Sequence, residues 1–98
     1  GQDAKARRQQ AAQQRQQLRP LKKQVETLEK QLAQCSDTLA TVEDGLGDDA
    51  LYTDPNRKDE MNGLLGDQAR LKKQHDALEG ELLDAMEALE TAESELGT

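Results

Sequence analysis

Apolar residues recur at alternating spacings of three and four along two long stretches of this chain, and this pattern constrains the fold most. Such spacing puts the residues on one helical face and is the heptad repeat of a coiled coil, whose a and d positions form a seam. The first stretch is apolar at all its seam positions, 18, 21, 25, 28, 32, 35, 39, 42 and 46. The second is polar only at Gln68 and His75, among positions 61, 64, 68, 71, 75, 78, 82, 85, 89, 92 and 96.

The composition agrees with a narrow seam rather than a layered globular core. Of the 98 residues, 34% are hydrophobic, 34% are charged and a single one, Tyr52, is aromatic. A chain of this size with so few large side chains cannot fill the space between packed sheets and helices. The fold class predicted is all-α, an antiparallel two-helix coiled-coil hairpin with a small capped tip.

The segment GLGDDALYTDP, residues 45 to 55, predicts the turn of this hairpin. Gly45 is expected to take the left-handed conformation after helix one, about 21–44, and Asp54 to cap helix two, about 55–96, with Pro55 at its first position. A one-turn helix near 48–52 is expected to fold the apolar tip residues over the end of the seam. These tip residues are Leu46, Leu51 and Tyr52.

Residues 1–17 are predicted to be a helical lead-in or a linker, followed by the hairpin at 18–98. Upstream of Leu18 the seam weakens, and Pro20 disfavours helical geometry at Arg19. The Ala and Gln content of 1–17 favours helix if the segment docks against the end of helix two.

Charge suggests a register for the hairpin. Residues 1–30 carry eight basic and three acidic side chains, whereas 31–98 carry five basic and seventeen acidic. Setting Leu39 against Leu64 and Leu28 against His75 brings opposite charges together beside the seam. The pairs expected are Glu29 with Lys72, Lys22 with Glu79 and Arg8 with Glu93, and each contributes only about 0.2 to 1 kcal/mol.

The sequence contains no recognisable catalytic or metal-binding motif. Phosphate loops, dinucleotide-binding glycines, HExxH and paired-cysteine spacings are absent, and one His, one Cys and one Tyr cannot form a nucleophile–base constellation. We therefore expect no enzymatic activity and no cofactor in this segment. His75 is read as a tolerated seam residue, with a pH-sensitive role as the alternative, and Cys35 as a small buried side chain.

The sequence also indicates where the protein acts. No run of residues is long and apolar enough for a membrane span or a signal peptide, so no membrane partner is expected. A lone cysteine does not suggest an oxidising compartment, and the cytoplasm is the expected location.

Several basic residues are predicted to point outward and are candidates for nucleic-acid binding. No aromatic residue interleaves with them, so contacts would be to phosphates rather than by base stacking. Solvated charge is the alternative interpretation. The candidates are Arg19 and Lys23 near the base, Lys30, Arg70 and Lys73 at mid-arm, and Arg57 and Lys58 behind the tip.

Three stretches resemble the C-terminal coiled-coil domain of ABC-F ATPases, most closely the bacterial YheS type and more distantly the Uup type. They are LRPLKKQVETLEKQLAQ at 18–34, LGDDALYTDPNRKDEM at 46–61 and ALETAESEL at 88–96. Pro20 and the tip, with Leu51-Tyr52 before Asp54-Pro55, carry the specificity of this likeness. The chain departs from the family at Ala85-Met86, where a Trp is common.

The resemblance implies a parent protein with two ATP-binding cassettes that acts on ribosomes as a translation factor. ATP and Mg²⁺ would bind outside this segment, and the arm would contact ribosomal RNA or DNA and its own ATPase domains. The alternative from a different class is a protein-interaction or dimerisation coiled coil, a monomer or weak dimer, associating through Leu65, Leu83 and Met86. A tRNA-binding synthetase arm is a third alternative, although its tip should be more basic.

Overall fold

The computed structural model describes residues 1–97, which are helical almost throughout, with no strand. Two long helices, α1 (Gln2–Leu46) and α3 (Lys58–Glu95), are joined by a short helix α2 (Ala50–Thr53) and a 3-10 turn (Pro55–Arg57). This all-α arrangement of two long helices and a short connection is consistent with a hairpin. None of the helices in the described part has the length and apolar character needed to cross a bilayer.

The heptad pattern correctly predicts which residues are sheltered from solvent. Every predicted seam position from 18 to 46 and from 61 to 96 is buried or half-buried. The residues between them are mostly exposed, because a helix buries only the stripe that faces its neighbour. The buried seam residues are Leu18, Leu28, Cys35, Val42, Leu71, Leu78 and Ala85.

The chain forms two compact units. The first comprises residues 1–29 and the residues from Glu81 onward, and the second comprises residues 30–80. In the first unit the Gln14 side-chain amide donates a hydrogen bond of 3.0 Å to the Leu96 carbonyl. In the second, the Cys35 thiol donates to the Leu71 carbonyl across 3.5 Å. Within each unit α1 therefore packs beside α3.

Helix α1 begins at Gln2 rather than near residue 21, and Pro20 lies inside it. Residues 2–17 are thus helical and continuous with the rest of α1. Ala4, Ala11 and Gln14 are half-buried and continue the seam, while Arg7 is exposed. Proline removes one helical hydrogen bond, but Pro20 is exposed, so water can reach the carbonyl that its missing N–H leaves free.

The predicted register is wrong. Leu64 lies against Gly45 instead of Leu39. A Cβ placed on Gly45 would lie 3.3 Å from the Leu64 Cδ1. His75 meets Ser36, eight positions beyond Leu28. The pairing is displaced by about one heptad, a shift that keeps apolar residues opposite one another.

Gly45 also differs from the expected role, since it lies within α1 and is not in the left-handed conformation. Among the described residues the glycine with positive φ is Gly97. Helix α1 instead closes with the Gly47 N–H donating to the carbonyls of Glu43 and Asp44, each at 3.1 Å. At Gly45 the feature that disfavours a larger residue is the close approach of Leu64 rather than the backbone conformation.

Candidate nucleic-acid interface and tip

The tip is closed by a single apolar side chain. Leu51, in α2, is 1% exposed, the most buried large residue among those described. Leu46 is half-buried and Tyr52 is 56% exposed. The predicted one-turn helix near 48–52 is therefore present at Ala50–Thr53, but it buries Leu51 and leaves the Tyr52 ring largely in solvent.

Local hydrogen bonds fix the backbone of the tip. Asp48 accepts from the Ala50 N–H at 3.0 Å, and Asp54 accepts from the Asn56 N–H at 2.9 Å. Asp54 thereby caps the 3-10 turn that Pro55 begins, as the sequence predicted. These short side-chain contacts satisfy backbone donors that the helix ends leave free.

Arg57 is held by two carboxylates and is the most constrained of the candidate basic residues. Its guanidinium contacts Asp48 and Glu60, each at 2.9 Å. The hydrogen bond from Arg57, followed by that from the Ala50 N–H, lowers the pKa of Asp48. Arg57 likewise lowers the pKa of Glu60, while Glu60 and then Asp48 raise the pKa of Arg57. Arg57 is therefore a tip-bridging residue, and its charge is already matched by carboxylates.

The other candidate basic residues remain open to solvent. Arg19 and Lys23 are exposed in the first unit, and Lys30, Lys58, Arg70 and Lys73 are exposed in the second. Arg70 has a long contact of 3.8 Å with Asp67 and keeps 64% of its side-chain surface accessible. Exposed cations of this kind are available to phosphate groups, since the Arg70–Asp67 contact is long and both side chains are largely exposed.

Arg70 borders a polar groove in the second unit, which sequence reasoning did not foresee. The groove, about 480 Å³ in volume, is lined by Gln31, Gln34, Thr38, Arg70 and Gln74, with Cys35, Leu71 and Leu78 beneath them. Lys30 and Lys73 each immediately precede one of the glutamines. The signal in the sequence was the set of glutamines beside the seam at positions 31, 34 and 74.

The charges expected to neutralise one another do not pair as predicted. Arg8, Lys22, Glu29 and Lys72 form no ion pair with any residue of the described range 1–97. The register shift explains this, since the predicted partners stand about a heptad away. More of the basic charge is therefore free than the sequence analysis expected.

His75 is half-buried on the seam and both of its ring nitrogens are engaged. Nε2 lies 3.0 Å from the Ser36 hydroxyl, and Nδ1 lies 3.4 Å from a Glu79 carboxylate oxygen. His75, Asp76 and Glu79 have ligand atoms within 4.8 Å of one another. We assign no metal site there, because Asp76 and Glu79 are exposed and a cation would have to displace the contacts of the His75 ring.

Comparisons with known proteins add no relative: no family model, no curated protein and no solved structure matches the chain. The functional argument therefore depends on the geometry described above and on the sequence resemblance.

Proposed function

We propose that this chain is a non-catalytic coiled-coil arm that contacts the phosphate backbone of nucleic acid. The observation that carries the proposal is the groove bordered by Arg70. Three glutamine amides line it, and the exposed Lys30 and Lys73 are sequence neighbours of two of these glutamines. Cations near amide donors are groups that bind phosphate and sugar oxygens.

The charge distribution favours the sides of the arm over its tip as the contact surface. Between Glu43 and Glu60 the chain carries seven acidic residues and two basic ones, and Arg57 is bound by carboxylates. Phosphate groups would be repelled there. We therefore place the nucleic-acid contact at Lys30, Arg70 and Lys73, with Arg19 and Lys23 as a second basic patch in the first unit, and remove Arg57 from the set.

The family proposed for the parent protein is that of ABC-F ATPases, acting in the cytoplasm on ribosomes. Support comes from the likeness of residues 18–34, 46–61 and 88–96, and from a tip whose Leu51, Asp54 and Pro55 each have a structural role. The nucleic acid would then be ribosomal RNA, with DNA as the alternative ligand, and ATP would bind in domains outside this chain. Sequencing the gene on either side for two ATP-binding cassettes tests this assignment independently of any binding measurement.

The binding proposal is tested by adding a short single-stranded RNA, or a DNA duplex, to ¹⁵N-labelled protein at low salt. We expect the amide resonances of Lys30, Gln31, Arg70 and Lys73 to shift, and the shifts to disappear as salt is raised, because phosphate contacts release counterions. Arg70→Gln should weaken binding. Arg57→Gln is the matched control and should leave binding nearly unchanged, since that guanidinium is already neutralised.

Two results would contradict the proposal. One is an unchanged spectrum at low salt with both ligands. The other is loss of binding in Arg57→Gln but not in Arg70→Gln, which would move the contact to the tip.

A further inference from the structure

The first unit has two different long sides, separated by the seam. On one side a groove is lined by Gln24 and Thr27 of α1 and by Glu81 and Ala88 of α3. Since successive helical residues are about 100° apart, residues that flank the seam away from the groove lie on the other side. We call this other side the charged face.

The charged face carries unlike charges on its two helices. On α1 the rotation places Arg8, Arg15, Arg19 and Lys22 there, and all four are exposed. Glu26 and Glu29, which are also exposed, follow at the same heptad positions as Arg19 and Lys22. On α3 the rotation places Leu83, Met86 and Glu90, together with Glu93 at the edge of the face. A mainly basic row that ends in two acidic residues thus runs beside a row of two apolar and two acidic residues.

The described residues leave this face largely without partners. Leu83 is 67% exposed and Met86 is 49% exposed, although both are large apolar side chains. Arg8, Arg15, Lys22 and Glu90 form no ion pair within residues 1–97. Exposed apolar side chains thus lie next to unlike charges that form no ion pair within residues 1–97, namely Arg15 and Lys22 on α1 and Glu90 on α3. Such a surface can be complementary to a second copy of itself.

We propose that the charged face of the first unit docks on the same face of a second copy of this chain. A twofold axis parallel to the helices would lay the basic α1 of each copy on the acidic α3 of the other, with Leu83 and Met86 covered at the centre. A twofold axis across the helices would instead lay α1 on α1 and α3 on α3. That arrangement sets the mainly basic α1 row on α1 and the α3 row, whose charges on this face are acidic, on α3, so charge complementarity favours the first one.

The interaction should be weak, because only two apolar side chains of each copy become buried. It should also be sensitive to salt, because exposed charges determine how the two copies are oriented. It does not depend on the main nucleic-acid contact proposed above, since the groove at Arg70 lies in the other unit, although Arg19 belongs to both proposed surfaces.

Sedimentation equilibrium of the full chain at low salt tests this inference. The monomer mass is 10.8 kDa, and we expect the apparent mass to rise toward twice that value with concentration and to fall again when salt is added. Arg15→Glu alone and Glu90→Arg alone should each stay monomeric, whereas an equimolar mixture of the two should associate again. Leu83→Ser should weaken association at every salt concentration.

Lys23→Glu is the matched control, because it makes the same charge change on the groove side of α1 and should leave association intact. Circular dichroism of each variant shows whether the helices are retained, and the mixture of charge-reversed variants distinguishes lost complementarity from lost folding. A chain that stays at monomer mass at all concentrations overturns the proposal and leaves the face to some other partner. Equal weakening by Lys23→Glu and Arg15→Glu also overturns it, because association would then depend on overall charge.

Discussion

The Tyr52 hydroxyl donates a hydrogen bond of 2.6 Å to the carbonyl oxygen of Leu46, the last residue of α1. This bond ties the short helix α2 to the end of α1 and gives the only aromatic residue in the sequence a structural role. Its ring remains 56% exposed, so the residue acts through its hydroxyl more than through buried area.

Tyr52→Phe is expected to lower the free energy of unfolding by about 0.5 to 1 kcal/mol. This is the lower part of the range for a hydrogen bond, because water can replace the lost partner at this exposed site. Thermal unfolding followed by circular dichroism measures the change. Thr53→Ala, which removes a longer contact of 3.5 Å to Ala50 in the same helix, is the control and should change stability less. Equal effects would mean that the Tyr52 bond contributes nothing of its own.

Leu51→Ala should destabilise the protein by about 2 to 5 kcal/mol, because Leu51 is almost fully enclosed and its removal leaves a cavity under the tip. Leu65→Ala is the matched control. Leu65 is 43% exposed on α3, and we expect a loss of about 0.5 kcal/mol or less. Chemical denaturation of both variants provides the comparison, and similar losses would show that the tip is not a packed structure.

Acid should weaken the tip through Asp48 and Glu60. Both carboxyls have a pKa below the ordinary values of 3.8 and 4.5, chiefly because Arg57 donates hydrogen bonds to their charged forms. A carboxyl whose pKa is lower in the folded state than in the unfolded state stabilises the folded protein at pH values above the unfolded-state pKa. This stabilisation is lost as the pH falls through the folded-state pKa. Below pH 3.8 the difference in stability between the native protein and Arg57→Gln should therefore shrink.

NMR titration of the side-chain carboxyls measures this effect residue by residue. In Arg57→Gln the pKa values of Asp48 and Glu60 should rise toward ordinary values, while exposed carboxyls elsewhere on α3, such as Asp84, provide a control. Unchanged titration in the variant would be incompatible with the bridge described here.

Replacing a helical glycine by alanine should raise the stability of the protein at some positions and not at others. A Cβ at Gly63, Gly66 or Gly80 would meet nothing within 4 Å, so each Gly→Ala change should stabilise the protein by about 1 kcal/mol through helix propensity. Thermal midpoints should rise by roughly 4 to 8 °C per substitution.

Gly45→Ala tests the register. Its Cβ would meet Leu64 at 3.3 Å, which offsets the gain in helix propensity because the Leu64 side chain has to move. We expect no stabilisation from Gly45→Ala, and an NOE between the Gly45 α protons and the Leu64 methyl groups in the native protein. A stabilisation as large as that of Gly63→Ala would favour the register in which Leu64 faces Leu39.

The seam, the position of the turn and the cap at Asp54 could all be predicted from the sequence because each depends on local spacing. Apolar residues every three or four positions define one helical face whatever the partner is. Asp before Pro defines a helix start through its own side chain. Of the candidate basic residues, the exposure of Arg70 and Lys73 followed from their distance from the seam in the heptad.

Only the tertiary structure decided how the two helices are aligned. A heptad repeat superposes on itself after every seven residues, so seam residues can meet seam residues in several registers. Exposed charge pairs contribute only about a few tenths of a kcal/mol each, which is too little to select one of these registers. The length and packing of the tip from Gly47 to Arg57, with Leu51 enclosed and Leu64 against Gly45, set the alignment that the structure has. That alignment determined which charges along the helices stayed unpaired. The tertiary structure also showed that α1 continues through Pro20, because the local preference at Arg19 is weak compared with the helical hydrogen bonding on both sides of it.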